Sequence, residues 1–119
     1  MYSAQVLDHF QNPRNAGEIV DADALAEIEN PACGDIVRLT LKASAGCVTE
    51  VRFKAKGCVA AIACASALTE LVTNQALDQV RNLRREDVIQ GVGGLPQAST
   101  HAAQLAVDVL QAALRGLKQ

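Results

Sequence analysis

An α+β fold, a small antiparallel sheet packed against Ala-rich helices, follows from three features of the chain. Val37, Leu39 and Leu41 alternate with Arg38, Thr40 and Lys42, and Val51, Phe53 and Ala55 alternate with Arg52, Lys54 and Lys56. After Gly57-Cys58 the apolar period changes from two to about 3.6 residues. Half of the 119 residues are apolar, yet aromatics are only 3% and Trp is absent, so Ala, Val, Leu and Ile must build the core. At this length one domain covering residues 1–119 is expected.

Ser3 is placed to cap a short amphipathic helix from about Ala4 to Gln11, with Val6, Leu7 and Phe10 on one side. Pro13, within Asn12-Pro13-Arg14-Asn15, ends it because it restricts the residue before it. The acidic, weakly patterned stretch from Gly17 to Asn30 holds a short strand around Leu25 to Glu29. Two alternating segments then form a hairpin whose connection contains Ala45-Gly46, where glycine tolerates a tight turn. Ala60 through Thr73 reads as a buried helix, with Ile62, Leu68, Leu71 and Val72 as its larger core residues. Short helices are expected around Leu77–Val80 and Arg85–Gln90. Gly91, Gly93, Gly94 and Leu95-Pro96 then break the pattern, and a last helix runs from about Thr100 to Leu117.

Charge and patterning exclude several function classes. A formal charge of −2 and a pI near 5.6 lack the basic face that phosphate neutralisation needs, so nucleic acid is not expected as a partner. Lys42, Arg52, Lys54 and Lys56 form a local basic strand edge, read as a solvated sheet face or a surface for a protein partner. No apolar run reaches the length of a membrane span, and the N-terminus lacks the charge and apolar pattern of a secretory signal. Four cysteines without such a signal are expected as reduced thiols in a cytoplasmic setting.

Chemistry concentrates at three turns: Asn30-Pro31-Ala32-Cys33-Gly34-Asp35, Gly57-Cys58, and His101 after the glycine-rich loop. Thiolate and imidazole suit zinc, iron or an iron–sulfur cluster, and a carboxylate adds a harder, more exchangeable ligand. Asp35 lies two residues from Cys33 and can point the same way in extended backbone. Cys58 lies where a strand gives way to a helix, so the helix dipole should favour its thiolate. Cys47 and Cys64 read instead as small core residues, and His9 as an exposed helix residue beside Asp8. Spacing alone does not bring Cys33, Cys58 and His101 together. Burial of the thiols and a surface or capping histidine are the alternatives.

Motifs along the whole chain carry a resemblance, beginning with Tyr2 and Val6-Leu7-Asp8-His9-Phe10, then Asn12-Pro13-Arg14-Asn15-Ala16-Gly17. Asn30-Pro31-Ala32-Cys33-Gly34-Asp35 follows, then Phe53-Lys54-Ala55-Lys56-Gly57-Cys58 with Ala61-Ile62-Ala63 and Ser66, and last His101 with Leu105-Ala106 and Asp108. In these motifs the chain resembles the iron–sulfur cluster scaffold family of IscU and the NifU N-terminal domain over essentially its full length. The resemblance implies a non-enzymatic α+β scaffold or carrier. Such a scaffold receives sulfur from a cysteine desulfurase and iron from a donor, and passes a transient cluster to acceptor apo-proteins.

It assigns Cys33, Asp35 and Cys58 to ligand positions and His101 to the histidine before the third ligand cysteine. The expected cargo is a labile 2Fe-2S cluster or iron, with zinc at the same place in an apo scaffold. Where the family reads Lys-x-His-Cys, this chain has Ser99-Thr100-His101-Ala102, so the usual sulfur-accepting thiol is missing. The chaperone motif Leu-Pro-Pro-Val-Lys is reduced to Leu95-Pro96-Gln97-Ala98-Ser99. A second reading is therefore a metal-binding regulator or decoy that docks a desulfurase without accepting sulfur. A third is an enzyme with Cys58 as nucleophile, His101 as base and Asp35 as orienter, disfavoured because no oxyanion motif is readable.

Overall fold

Alternation in the sequence becomes three antiparallel strands in the computed structural model, which describes residues 1–117. The last two positions of the expected 1–119 domain lie outside the described residues. Strand β1 (Ala24–Asn30) pairs with β2 (Asp35–Ser44), and β2 pairs with β3 (Cys47–Lys56), so β2 is central and the other two are edges. On one face the register stacks Ala24, Leu41 and Val51, then Ala26, Leu39 and Phe53, then Ile28, Val37 and Ala55. Those rows pack against helices α2 (Val59–Val72) and α5 (Thr100–Arg115). Ten of the fourteen α2 residues are buried, which is why this helix carries no one-sided stripe. Its alanines let the sheet and α5 approach closely. Each fully buried leucine, such as Leu39, Leu41, Leu68 and Leu110, removes about 1.5–3 kcal/mol worth of apolar surface from water.

Helix α1 (Ala4–Gln11) starts as expected, with the Ser3 hydroxyl accepting from the Val6 amide at 3.0 Å. Its faces differ from the sequence reading. Val6 is buried, whereas Leu7 and Phe10 are exposed, and His9 is buried rather than exposed. His9 Nδ1 lies 2.8 Å from Ser66 Oγ, and its Nε2 lies 3.4 Å from Glu70 Oε1. The ring thus ties α1 to α2. Ser66 is small enough to leave room for it, a relation between distant positions that local periodicity cannot show.

The β2–β3 turn is a two-residue loop in which Ala45 and Gly46 both have positive φ, 53° and 77°. That geometry matches the right-handed twist of the strands. A bulge follows between Lys42 and Ala43, so Ala43 faces Val48 while Lys42 faces Glu50. The extra residue breaks the period of two. Val48 is fully buried and Cys47 only half-buried, a correction to the expectation that Cys47 shares the core parity of Val51.

The acidic stretch before β1 crosses the opposite face of the sheet. Ile19 covers the buried Thr40, whose hydroxyl accepts from the Ile19 amide at 3.1 Å. Glu18 pairs with Arg38 at 2.7 Å and Asp21 with Lys42 at 3.0 Å. Part of the basic strand edge is therefore neutralised within the chain. Helices α3 (Leu77–Val80) and α4 (Arg85–Gly91) follow, and a 3₁₀ turn over Gln97–Ser99 leads into α5. Ile62 and Leu71 are only partly buried at the rim of the core, and α5 ends at Arg115 rather than Leu117. Among the described residues, no helix is long and apolar enough to cross a membrane.

Candidate metal centre

The β1–β2 connection is built by Asn30. Its side-chain oxygen accepts from the Ala32 amide at 3.0 Å, while its carbonyl accepts from Cys33 at 3.3 Å and Gly34 at 2.7 Å. Pro31 has no amide to satisfy, and Gly34 takes φ +76°, which a side chain would strain. Cys33 is exposed at the tip of this turn. Asp35 begins β2 on the core face, in phase with Val37 and Leu39, and is 2% exposed. The two side chains converge because the chain turns at Gly34, not because the backbone is extended as the sequence suggested.

Asp35 is the hub. Its Oδ1 accepts from the Cys58 amide at 3.0 Å, and its Oδ2 accepts from the Cys33 thiol at 3.1 Å and the Cys58 thiol at 3.4 Å. Burial alone would raise the carboxyl pKa. The hydrogen bonds from Cys33, from the Cys58 amide and from the Cys58 thiol outweigh it, and with the positive potential of His101 they hold Asp35 below the usual carboxylate range.

Cys58 caps α2, its sulfur accepting from the Ala61 amide at 3.4 Å. Here the expectation of a favoured thiolate is corrected. Partial burial of the sulfur and the neighbouring Asp35 carboxylate push the Cys58 thiol up, and the Ala61 and Ala60 amides offset this only in part. Cys64 is fully buried, and its pKa is pushed up to about 12 by burial and then by Cys58. It is a core residue.

His101 lies in the first turn of α5, oriented by the Ala98 carbonyl 3.1 Å from Nδ1. A carbonyl only accepts, so in the neutral ring Nδ1 carries the proton and Nε2 presents its lone pair. That Nε2 is buried, has no hydrogen-bond partner among the described residues, and lies 3.6 Å from Asp35 Oδ2. The separation is too long for a hydrogen bond. One ligand atom each from Cys33, Asp35 and His101 all fall within 4.8 Å of one another. Zinc bonds of about 2.0–2.3 Å to such ligands would span separations of this order. Cys58 stands outside that closest trio and adjoins it through Asp35.

The structure therefore brings Cys33, Asp35 and His101 together, with Cys58 beside them. Ala102, where the resemblance expects a thiol, is 1% exposed and belongs to the hydrophobic core. Two contributors were not singled out in the sequence, the Ala98 carbonyl and the tight fit of Gly57 against Asp35. The first is a backbone group three residues before His101 that no residue type marks. The second depends on tertiary contact.

The NifU-like N-terminal domain family model matches residues 1–119. An Archaeoglobus fulgidus protein named iron-sulfur cluster assembly scaffold protein IscU 1 is 40% identical over 114 residues, 96% of this chain and 74% of its own. The Aquifex aeolicus protein of the same scaffold name is 40% identical over 116 residues, with the same coverage of both chains. The Escherichia coli K12 scaffold protein IscU is 36% identical over 121 aligned residues, 98% of this chain and 94% of its own. Among solved structures, the N-terminal NifU-like protein from Brucella abortus superposes with a TM-score of 0.79 at 21% identity, covering 98% of this chain and 93% of that one. A Fervidobacterium islandicum chain superposes at 0.75 and 19% identity, over 95% of this chain and 96% of its own. The structural likeness speaks for the three-stranded sheet and its helices, the sequence likeness for descent, and both lead to one conclusion: the chain belongs to the NifU-like N-terminal domain family.

Proposed function

We propose that this protein is an iron–sulfur cluster assembly scaffold or carrier, not an enzyme, whose cargo binds at Cys33, Asp35, Cys58 and His101. The observation that carries the reading is the unpartnered, buried Nε2 of His101, aimed at the Asp35 carboxylate beside two thiols. A buried ring nitrogen with no hydrogen-bond partner is costly without a ligand. Relatives of 36–40% identity bearing the scaffold name support the assignment.

The donor set explains a carrier better than a permanent holder. Two thiolates satisfy the soft iron–sulfur core, while imidazole and carboxylate bind it less tightly and exchange more readily. The cargo is iron or a labile 2Fe-2S cluster, with zinc able to occupy the same donors. Sulfur arrives from a cysteine desulfurase. A thiolate of this chain attacks the outer sulfur of the donor persulfide, one S–S bond forms as another breaks, and the donor thiolate leaves. An iron donor and acceptor apo-proteins complete the cycle in a reducing cytoplasm.

A second reading, a metal-binding regulator or decoy that docks a desulfurase without accepting sulfur, rests on Ala102, a buried core residue where the resemblance expects a thiol. Metal analysis with absorption spectra on protein purified without air tests the first reading. Iron with sulfide in the charge-transfer spectrum, lost in Cys33→Ser and His101→Ala, is the expected result. Protein that holds zinc or iron without sulfide and takes no persulfide from a desulfurase and cysteine would favour the regulator.

A further inference from the structure

We infer that the outer edge of β3 at Ala55 is a docking site for an extended, acidic and apolar peptide segment of a partner protein, which adds to the sheet as a fourth strand. Phe53 shows which way the edge groups point. Its amide donates to the Asn15 carbonyl at 3.0 Å and its carbonyl accepts from the Gly17 amide at 2.8 Å, so both face away from β2. By the alternation of an antiparallel pair, the N–H and C=O of Ala55 face outward as well. Loops close the edge at Val48, which bonds Gln75 and Asn74, and at Phe53. Among the described residues nothing bonds the outward groups of Ala55, and unpaired edge groups of this kind are a template for pairing with another chain.

Three further features define the occupant. A groove of about 530 Å³ opens beside Ala55 between Phe10, Ile62 and Phe53. Phe10 is 37% exposed there, a large apolar side chain on the surface with room for an apolar partner beside it. Lys54 lines the same groove, and Lys56 follows one pleat on. Arg38, Lys42 and Arg52 each have a carboxylate partner, whereas Lys54 and Lys56 have none among the described residues. An extended segment with one apolar anchor and flanking carboxylates satisfies the open amide and carbonyl, the groove and both lysines together. A segment seated there lies three residues from Cys58, so a bound partner reaches the edge of the metal centre. The inference goes beyond the cluster reading and does not depend on which metal the centre holds.

The test uses the full chain and two labelled peptides, acetyl-EDVFVDE-amide and its charge-reversed form acetyl-KKVFVKK-amide, followed by fluorescence anisotropy and amide NMR. The acidic peptide should bind saturably and shift the amides of residues 53–57 and Phe10, while the basic peptide does not. N-methylation of alternate peptide amides leaves the protein untouched and should weaken binding about tenfold or more, the loss of one or two net hydrogen bonds. Lys54→Glu with Lys56→Glu should weaken it comparably and admit the basic peptide. No saturable binding, equal binding of both peptides, indifference to N-methylation, or shifts on another face would each overturn the inference. Self-association in sedimentation that Ala55→Pro abolishes would overturn it too, by making a second copy the occupant.

Discussion

Gly57 and Asp35 touch so closely that no side chain fits between them: a Cβ on Gly57 would lie 2.1 Å from Asp35 Oδ1 and 2.7 Å from its Cγ. Gly57 also has φ +151°, which L side chains rarely adopt. Gly57→Ala should therefore destabilise the fold by about 1–3 kcal/mol from backbone strain. It should also displace the carboxylate that holds both thiols. Urea unfolding reads the first effect and zinc titration the second. A variant of unchanged stability and unchanged zinc affinity would contradict the contact.

Cysteine reactivity should follow the environments rather than the count. Cys64 should resist alkylation in folded protein at neutral pH, because it is fully buried and its pKa is pushed up to about 12. Cys58 should react slowly for an exposed thiol, because partial burial and then Asp35 raise it. Asp35→Asn removes the negative charge and should speed Cys58 labelling. Mass spectrometry of iodoacetamide adducts against time measures both. The same order predicts that persulfide sulfur lands first on exposed Cys33 and not, as helix position alone suggested, on Cys58.

His9 sets a pH dependence of stability. Burial, and then Arg14, lower its pKa from the usual 6.5, with Glu70 and Asp8 opposing. The unfolded chain therefore takes up the proton before the folded one does. His9's contribution is fully present above pH 6.5 and is lost as the pH falls from there through the lower folded value. Denaturant melts at stepped pH should show this loss in the wild type and not in His9→Gln. Parallel curves for the two proteins would refute it.

Much of this was legible in the sequence because it is local. The Ser3 cap, the Ala45-Gly46 turn and the switch of period at Gly57-Cys58 each depend on neighbouring residues, and each lies where the structure has it. What local pattern does not show depends on distant partners. His9 is buried only because Ser66, fifty-seven positions away, makes room and a hydrogen bond. Cys47 leaves the core because of a bulge opposite Lys42 and Ala43. At the centre, side-chain chemistry named the ligand candidates, but the roles of Asp35 as hub and of the free Nε2 of His101 arise from the meeting of three elements.

The central claim is that Cys33, Asp35, Cys58 and His101 form one centre whose mixed donors hold a cluster loosely. Anaerobic reconstitution with iron and sulfide, followed by chelator challenge, tests it most directly. The wild type should form a cluster chromophore that decays faster than that of Ala102→Cys, and His101→Ala or Cys33→Ser should form little or none. Oligomeric state is measured in the same samples, because a shared cluster could borrow thiols from a second chain. A chromophore equally long-lived in the wild type and Ala102→Cys, and indifferent to the loss of His101, would contradict the account.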